Sequence, residues 1–146
     1  MTNEAKLRFE FDVDGDNFTS AGTASETVKY NLKQLGIAPD IIRRVAIVMY
    51  EGEINMVIHA KGGKAVVEID SDEINITLKD VGPGIPDINL AMQEGWSTAP
   101  DNIRSLGFGA GMGLPNMKKY SDKMEIESVV GEGTTVKMCV KIRKEA

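Results

Sequence analysis

Leu7, Phe9, Phe11 and Val13 alternate with Arg8, Glu10 and Asp12, a period of two that predicts a strand with one buried face. The segment DGDNFTSAG then turns the chain, and the period lengthens. Ala24, Val28, Leu32 and Leu35 recur at helical spacing, so a helix is predicted from about Ser20 to Leu35, with Gly36 as its stop. A second helix starts after Pro39-Asp40. Its apolar positions Ile41, Ile42, Val45, Val48, Met49, Ile54, Val57 and Ile58 run almost to Lys61-Gly62-Gly63, which makes it long and largely buried. Ala65–Ile69 and Ile74–Leu78 read as a hairpin around Asp70-Ser71-Asp72. From Asp80 to Gly113 the chain is loop-rich, with a short helix around Ile88–Glu94. Leu114–Asp122 is helical in pattern, and strands at Met124–Val129 and Thr134–Ile142 flank Gly131-Glu132-Gly133.

Strands and helices without regular βαβ alternation imply an α+β two-layer sandwich. The 146 residues suit one domain, residues 1–146. A hydrophobic share of 42% excludes wholesale disorder. Lys+Arg total 17 and Asp+Glu 22, a net charge of 17 − 22 = −5, which argues against nucleic acid as the main ligand. One cysteine, Cys139, and one histidine, His59, exclude a disulfide framework and multi-Cys or His-rich metal sites. No stretch has signal-peptide or membrane-spanning length, so a cytoplasmic protein without membrane contact is expected. Seven of the 15 glycines crowd between Gly82 and Gly113, and that clustering directs attention to chemistry.

Glu51, Asn55 and His59 stand at i, i+4 and i+8 of the second helix and stack on one side of it. A carboxylate and a carboxamide on a mostly apolar helix need partners, at roughly 1–7 kcal/mol for a buried group left without one. A hydrated Mg²⁺ with a polyphosphate would satisfy both, with Asn55 offering its carbonyl oxygen and Glu51 accepting a proton. By themselves the three also fit the solvent edge of an amphipathic helix. Glu53 points to another face and is expected at the surface. Directly after the Ile74–Leu78 strand, Asp80-Val-Gly82-Pro-Gly84-Ile85 combines a carboxylate able to accept from an exocyclic amine with glycines that permit close backbone approach, although the same residues make a plain turn. Gly107-Phe-Gly-Ala-Gly-Met-Gly-Leu-Pro-Asn116 leads into a helix and can offer free N–H groups to phosphates, or be an unliganded loop. It is not a Rossmann turn, since no strand feeds it, nor a P-loop, since no G-K-[ST] occurs.

In order, Glu-x-x-x-Asn on a helix, strand–Asp-x-Gly-x-Gly, Gly-x-Gly-x-Gly before a helix, and Gly-Thr-Thr entering the last strand resemble the ATP-binding fold shared by gyrase, Hsp90, sensor histidine kinases and MutL. The resemblance spans about Val45 to Val140. It implies a mixed, mostly antiparallel sheet with helices on one face. The short chain, with Gly95-Trp-Ser-Thr98 and Gly111-Met-Gly-Leu-Pro-Asn-Met-Lys-Lys119, is similar to bacterial anti-sigma factors and switch serine/threonine kinases of the RsbT/RsbW/SpoIIAB type.

The resemblance implies that ATP and Mg²⁺ are the cofactors, with Asn55 on the metal and Glu51 as general base. Asp80 would hold the adenine amine, aided through water by Thr134, and Gly82 and Gly84 would lie against base and sugar. Gly109, Gly111, Gly113 and Leu114 would cradle the phosphates. His59 matches a family position without an assigned role and fits a satisfied helix-end histidine equally. Arg104 is either a phosphate contact or a solvated surface residue, and Trp96 either a lid or docking residue or an apolar anchor. The implied function is phosphorylation of a Ser or Thr on a small antagonist-domain (STAS-like) partner. The alternative is sequestration of a sigma factor with nucleotide tuning affinity, and the resemblance leaves a homodimer open. Two departures stand out. Gly52 occupies a mid-helix position at a cost of about 1 kcal/mol, and the stretch Ala99–Ser105 lengthens the lid relative to the RsbT type.

Overall fold

The computed structural model describes residues 7–14, 22–85, 87–92 and 113–142, with the backbone alone for Ile58, His59, Leu90 and Ala91. In chain order the elements are strand β1 (Leu7–Asp14), helices α1 (Thr23–Gln34) and α2 (Pro39–His59), and strands β2 (Gly62–Ile69) and β3 (Glu73–Asp80). The short helix α3 (Ile88–Ala91), helix α4 (Gly113–Tyr120) and strands β4 (Lys123–Val129) and β5 (Gly133–Lys141) follow. The five strands form one sheet in the order β1-β2-β3-β5-β4. All four pairings are antiparallel, so the mixed sheet implied by the resemblance has no parallel pair among the described residues.

Register carries one apolar face across the sheet. Phe9 and Phe11 oppose Val67 and Ala65, these oppose Ile76 and Leu78, which in turn oppose Met138 and Val136, and Met124 and Ile126 complete the rows on β4. Against this face α1 packs Val28 and Leu32, α2 packs Val45, Val48, Met49 and Met56, and α4 packs Met117. Each such fully buried side chain stabilises the fold by about 1.5–3 kcal/mol. The opposite face presents charged neighbours such as Arg8 beside Glu68 and Glu125 beside Lys137. The α+β two-layer sandwich with helices on one face is therefore the observed architecture.

Gly52 is explained by this packing. A Cβ there would run into Cδ1 of Leu78, so the missing side chain lets α2 settle onto β3. Glu53 corrects the expectation of a surface residue: it is 2% exposed. One of its oxygens accepts from the Gly22 N–H at 2.8 Å and the Ala24 N–H at 3.2 Å, and the other from the Ser25 N–H at 2.6 Å. The side chain of α2 thereby occupies the N-terminal end of α1, where free N–H groups and the positive dipole end favour a carboxylate. No α1 side chain does this, because the N-cap is Gly22 with φ 100°.

Arg44 fastens the far end of α4. Its Nε donates to the Tyr120 carbonyl at 3.1 Å, and its guanidinium lies 3.2 Å from Asp122, which also accepts the Lys141 N–H at 2.7 Å. No described helix is long and apolar enough to cross a membrane.

Candidate functional site

The inward rows of the sheet change character at one end. Leu78, Val136 and Ile126 form an apolar row across β3, β5 and β4, and Val136 and Ile126 are paired. Two residues further along each strand stand Asp80, Thr134 and Ser128, a polar row on the same side of the sheet. Asp80 is the last residue of β3 rather than the first after the strand, because β2 and β3 extend to a Gly63–Asp80 pair, and a Cβ on Gly63 would collide with the Lys79 carbonyl. Asp80 Oδ1 accepts the Thr134 N–H at 2.8 Å. Burial raises the carboxyl above the ordinary aspartate range, and the Thr134 N–H works against that rise.

The turn after Asp80 is zipped to the β4–β5 hairpin. Gly82 N–H donates to the Glu132 carbonyl at 3.2 Å, Gly131 N–H to the Pro83 carbonyl at 2.8 Å, and Ile85 N–H to Ser128 Oγ at 2.7 Å. Gly84 takes φ 77°, and a Cβ there would approach the Val129 carbonyl at 2.6 Å, so this position requires glycine both for its dihedral and for the close approach. Ser128 also lies 2.9 Å from Thr134 Oγ1. No motif in the sequence marks Ser128, although a polar residue in the inward phase Met124, Ile126, Ser128 is a signal for it.

On the helix side, α2 brings Glu51 and Asn55 against the start of α4. Glu51 is half-buried and hydrogen-bonded to Asn116; burial raises its pKa and the Asn116 bond opposes the rise. Asn55 Nδ2 lies 3.9 Å from Met117 Sδ. A Cβ on Gly113 would come within 2.9 Å of both terminal atoms of the Asn55 amide, so the glycine leaves that amide its room. Gly113 and Leu114 open α4, and first-turn N–H groups of a helix have no carbonyl partner within it. Asn55 Oδ1 is a hard oxygen of the kind that suits Mg²⁺, and the N–H groups that open a helix are of the kind that suits phosphate. Among the described residues, no three His, Cys, Asp or Glu side chains cluster as a metal site.

Glu51 faces a second space as well. A groove of about 520 Å³ runs between α1 and α2, lined by Lys29 and Lys33 on one wall and Ile47 and Tyr50 on the other, and ends at Glu51.

The structure thus joins Glu51 and Asn55 to Gly113 and Leu114, and Asp80 to Thr134, Gly82 and Gly84. Gly52, against Leu78 and near Met117, stands where the supporting elements meet. Gly109, Gly111, Trp96 and Arg104 lie outside the described residues, as does the His59 side chain.

Known proteins match the chain in sequence over most of its length. The histidine kinase-, DNA gyrase B- and HSP90-like ATPase family matches residues 40–144. The anti-sigma F factor of Geobacillus stearothermophilus is 32% identical over 142 residues, covering 93% of this chain and 90% of the relative. The serine/threonine-protein kinase RsbT of Bacillus subtilis (strain 168) is 33% identical over 108 residues, covering 71% and 75%. These matches make the chain a member of the histidine kinase-, DNA gyrase B- and HSP90-like ATPase family, alongside relatives named anti-sigma F factor and serine/threonine-protein kinase RsbT.

Proposed function

We propose that the chain is an ATP-dependent serine/threonine protein kinase of the switch type, acting on a Ser or Thr of a small antagonist-domain (STAS-like) protein. The observation that carries the reading is the position of Glu51, between the Asn55/Gly113 corner and the open α1–α2 groove. A base that serves phosphoryl transfer to a protein must touch both the nucleotide side and a surface where a hydroxyl can arrive. A burial-raised carboxyl is also better matched to proton abstraction near neutral pH than an ordinary one.

Asp80 accepts the adenine amine, and Gly84 keeps the turn close enough for a flat base. Asn55 Oδ1 would hold Mg²⁺, and the N–H groups of Gly113 and Leu114 would hold the phosphates. Mg²⁺, when bound, neutralises charge on the phosphate oxygens. Glu51 takes the proton of the acceptor hydroxyl as its oxygen bonds to the γ-phosphorus. The bond from that phosphorus to the β–γ bridging oxygen breaks, and ADP leaves. Positioning and charge stabilisation supply most of the acceleration in this class of reaction.

Glu51→Gln is expected to bind ATP with unchanged affinity and to transfer no label from γ-labelled ATP to the partner. Transfer at the normal rate would remove Glu51 from the base role. The second reading, sequestration of a sigma factor with nucleotide setting the affinity, is favoured by the near full-length match to an anti-sigma F factor. Capture of a sigma factor by the purified protein without label transfer to any antagonist-type domain would select it.

A further inference from the structure

The polar row at the sheet end contains a hydroxyl pair whose hydrogen bonds can be counted. Ser128 Oγ has one proton and two lone pairs. One lone pair is taken by the Ile85 N–H at 2.7 Å. Its proton can go to Thr134 Oγ1 at 2.9 Å or to the Gly133 carbonyl at 3.3 Å. The 2.9 Å contact persists in either direction, and the 3.3 Å contact to Gly133 is the weaker of Ser128's two choices as donor, because O–H···O bonds have their optimum near 2.7–2.8 Å. When Ser128 donates to Thr134, the Thr134 proton is released to point elsewhere. When the direction reverses, Thr134 spends its proton on Ser128 and offers only lone pairs. Ser128 therefore decides whether Thr134 presents a donor or an acceptor beside the Asp80 carboxylate, which is pinned by the Thr134 N–H.

We propose that Ser128 is a positioning residue that sets the hydrogen-bond polarity of the base pocket, so that Asp80 and Thr134 together offer an acceptor next to a donor and select adenine over guanine. Adenine presents the complement of that pair, an exocyclic amine that donates and a ring nitrogen that accepts, directly or through a water. Guanine presents the reverse on the same edge, a carbonyl oxygen and a ring N–H. A site whose buried polar groups are mismatched in this way loses far more binding than one missing an apolar contact. Ser128 does this without touching the base, acting through Thr134. It also holds the turn through Ile85, a contact that is indifferent to which purine is bound. The proposal rests on the nucleotide reading of the site and not on phosphoryl transfer.

The test measures dissociation constants for ATP and GTP by calorimetry on the whole chain and on Ser128→Ala, Ser128→Thr, Thr134→Val and the Ser128→Ala/Thr134→Val double variant. Folding is checked by circular dichroism. Ser128→Ala is expected to weaken ATP by about tenfold, the equivalent of one hydrogen bond of about 1.4 kcal/mol, and GTP by about threefold or less, so the ATP:GTP preference falls. Ser128→Thr keeps the hydroxyl on a strand that favours β-branched residues and retains the preference. In the Thr134→Val background, Ser128→Ala is expected to leave the preference where Thr134→Val alone put it, since the two residues act in series. An unchanged ATP:GTP ratio in Ser128→Ala, or an additive double variant, overturns the proposal while leaving nucleotide binding in place. If the unsubstituted chain binds neither nucleotide, the nucleotide reading fails and the proposal with it. Should Ser128→Ala not fold, Ser128→Thr and Thr134→Val still decide the matter: equal ATP:GTP ratios in wild type and Thr134→Val overturn it.

Discussion

Replacing Glu53 by alanine would withdraw the carboxylate that closes the N-terminal end of α1. The residue is 2% exposed, and its three bonds to backbone N–H groups reach 28 to 31 residues back along the chain. Two of them, at 2.6 and 2.8 Å, are in the charge-assisted range, where a bond to a charged group contributes about 1.5–3 kcal/mol. The third, at 3.2 Å, adds little. Ala24 and Ser25 are each 4% exposed, so water does not readily replace the lost oxygens. A loss of about 4 kcal/mol follows, a large part of the 5–15 kcal/mol typical of a domain. At about 2–4 °C per kcal/mol for a chain of this size, the melting midpoint should fall by roughly 8–16 °C. Glu53→Gln keeps the shape and directs its one remaining oxygen at Gly22 and Ala24. It leaves the Ser25 N–H facing an amide donor, and should lose about half as much. Urea unfolding followed by circular dichroism, with the slope required to stay constant, reads both values. A Glu53→Ala loss under about 1 kcal/mol, or a Gln variant as unstable as Ala, would refute the capping argument.

Glu51 gives a prediction with a definite sign. Its pKa is raised by burial against the pull of Asn116, so the folded chain holds that proton more tightly than the unfolded one. Ionised Glu51 therefore costs stability, beginning as pH rises through the unfolded value and in full above the folded one. Thermal melts should show Glu51→Gln more stable than wild type at pH 7, with the gain vanishing toward pH 4; a gain that persists there contradicts the assignment. Gly113→Ala should weaken Mg²⁺-nucleotide binding by about tenfold through displacement of the Asn55 amide, with the melting midpoint nearly unchanged. Calorimetry showing wild-type affinity would mean Asn55 is not needed where it stands. Cys139 lies 3.2 Å from Glu73, and burial first and that carboxylate second push its thiol up to about 11. Against an ordinary thiol, alkylation of the native chain at pH 8 should be about 100-fold slower than of the unfolded chain, because the thiolate is the reacting species. Equal rates would place the thiol in the open.

Much of this was legible beforehand because it is local. The alternation Leu7–Val13, the helical spacing Ile41–Ile58 and the Asp70-Ser71-Asp72 turn each announce an element from neighbouring residues. The spacing of Glu51 and Asn55 places them on one side of a helix regardless of what surrounds it. Glu53 departs from its expected surface position for the complementary reason. Two residues from Glu51 it does face another way, but whether that way is solvent depends on α1 lying across α2. The short residue Gly52 looked like a defect because a helix in isolation prefers a side chain there, whereas packing on Leu78 forbids one. Ser128 is not legible in any sequence motif because its importance lies in the register that sets it opposite Thr134.

The sequence by itself determined the periods, and so the elements, and the chemical types available: a carboxylate and carboxamide on one helical face, an aspartate at a strand end, and glycines at the turns. Those depend on bonds and spacings within a few residues. Tertiary structure alone decided which polar groups are satisfied and by what: Glu53 by the end of α1, Asp80 by Thr134, the turn at Ile85 by Ser128. Such partners lie tens of residues apart, and buried polar groups acquire their energies from the partner that packing brings, not from the residues beside them in the chain.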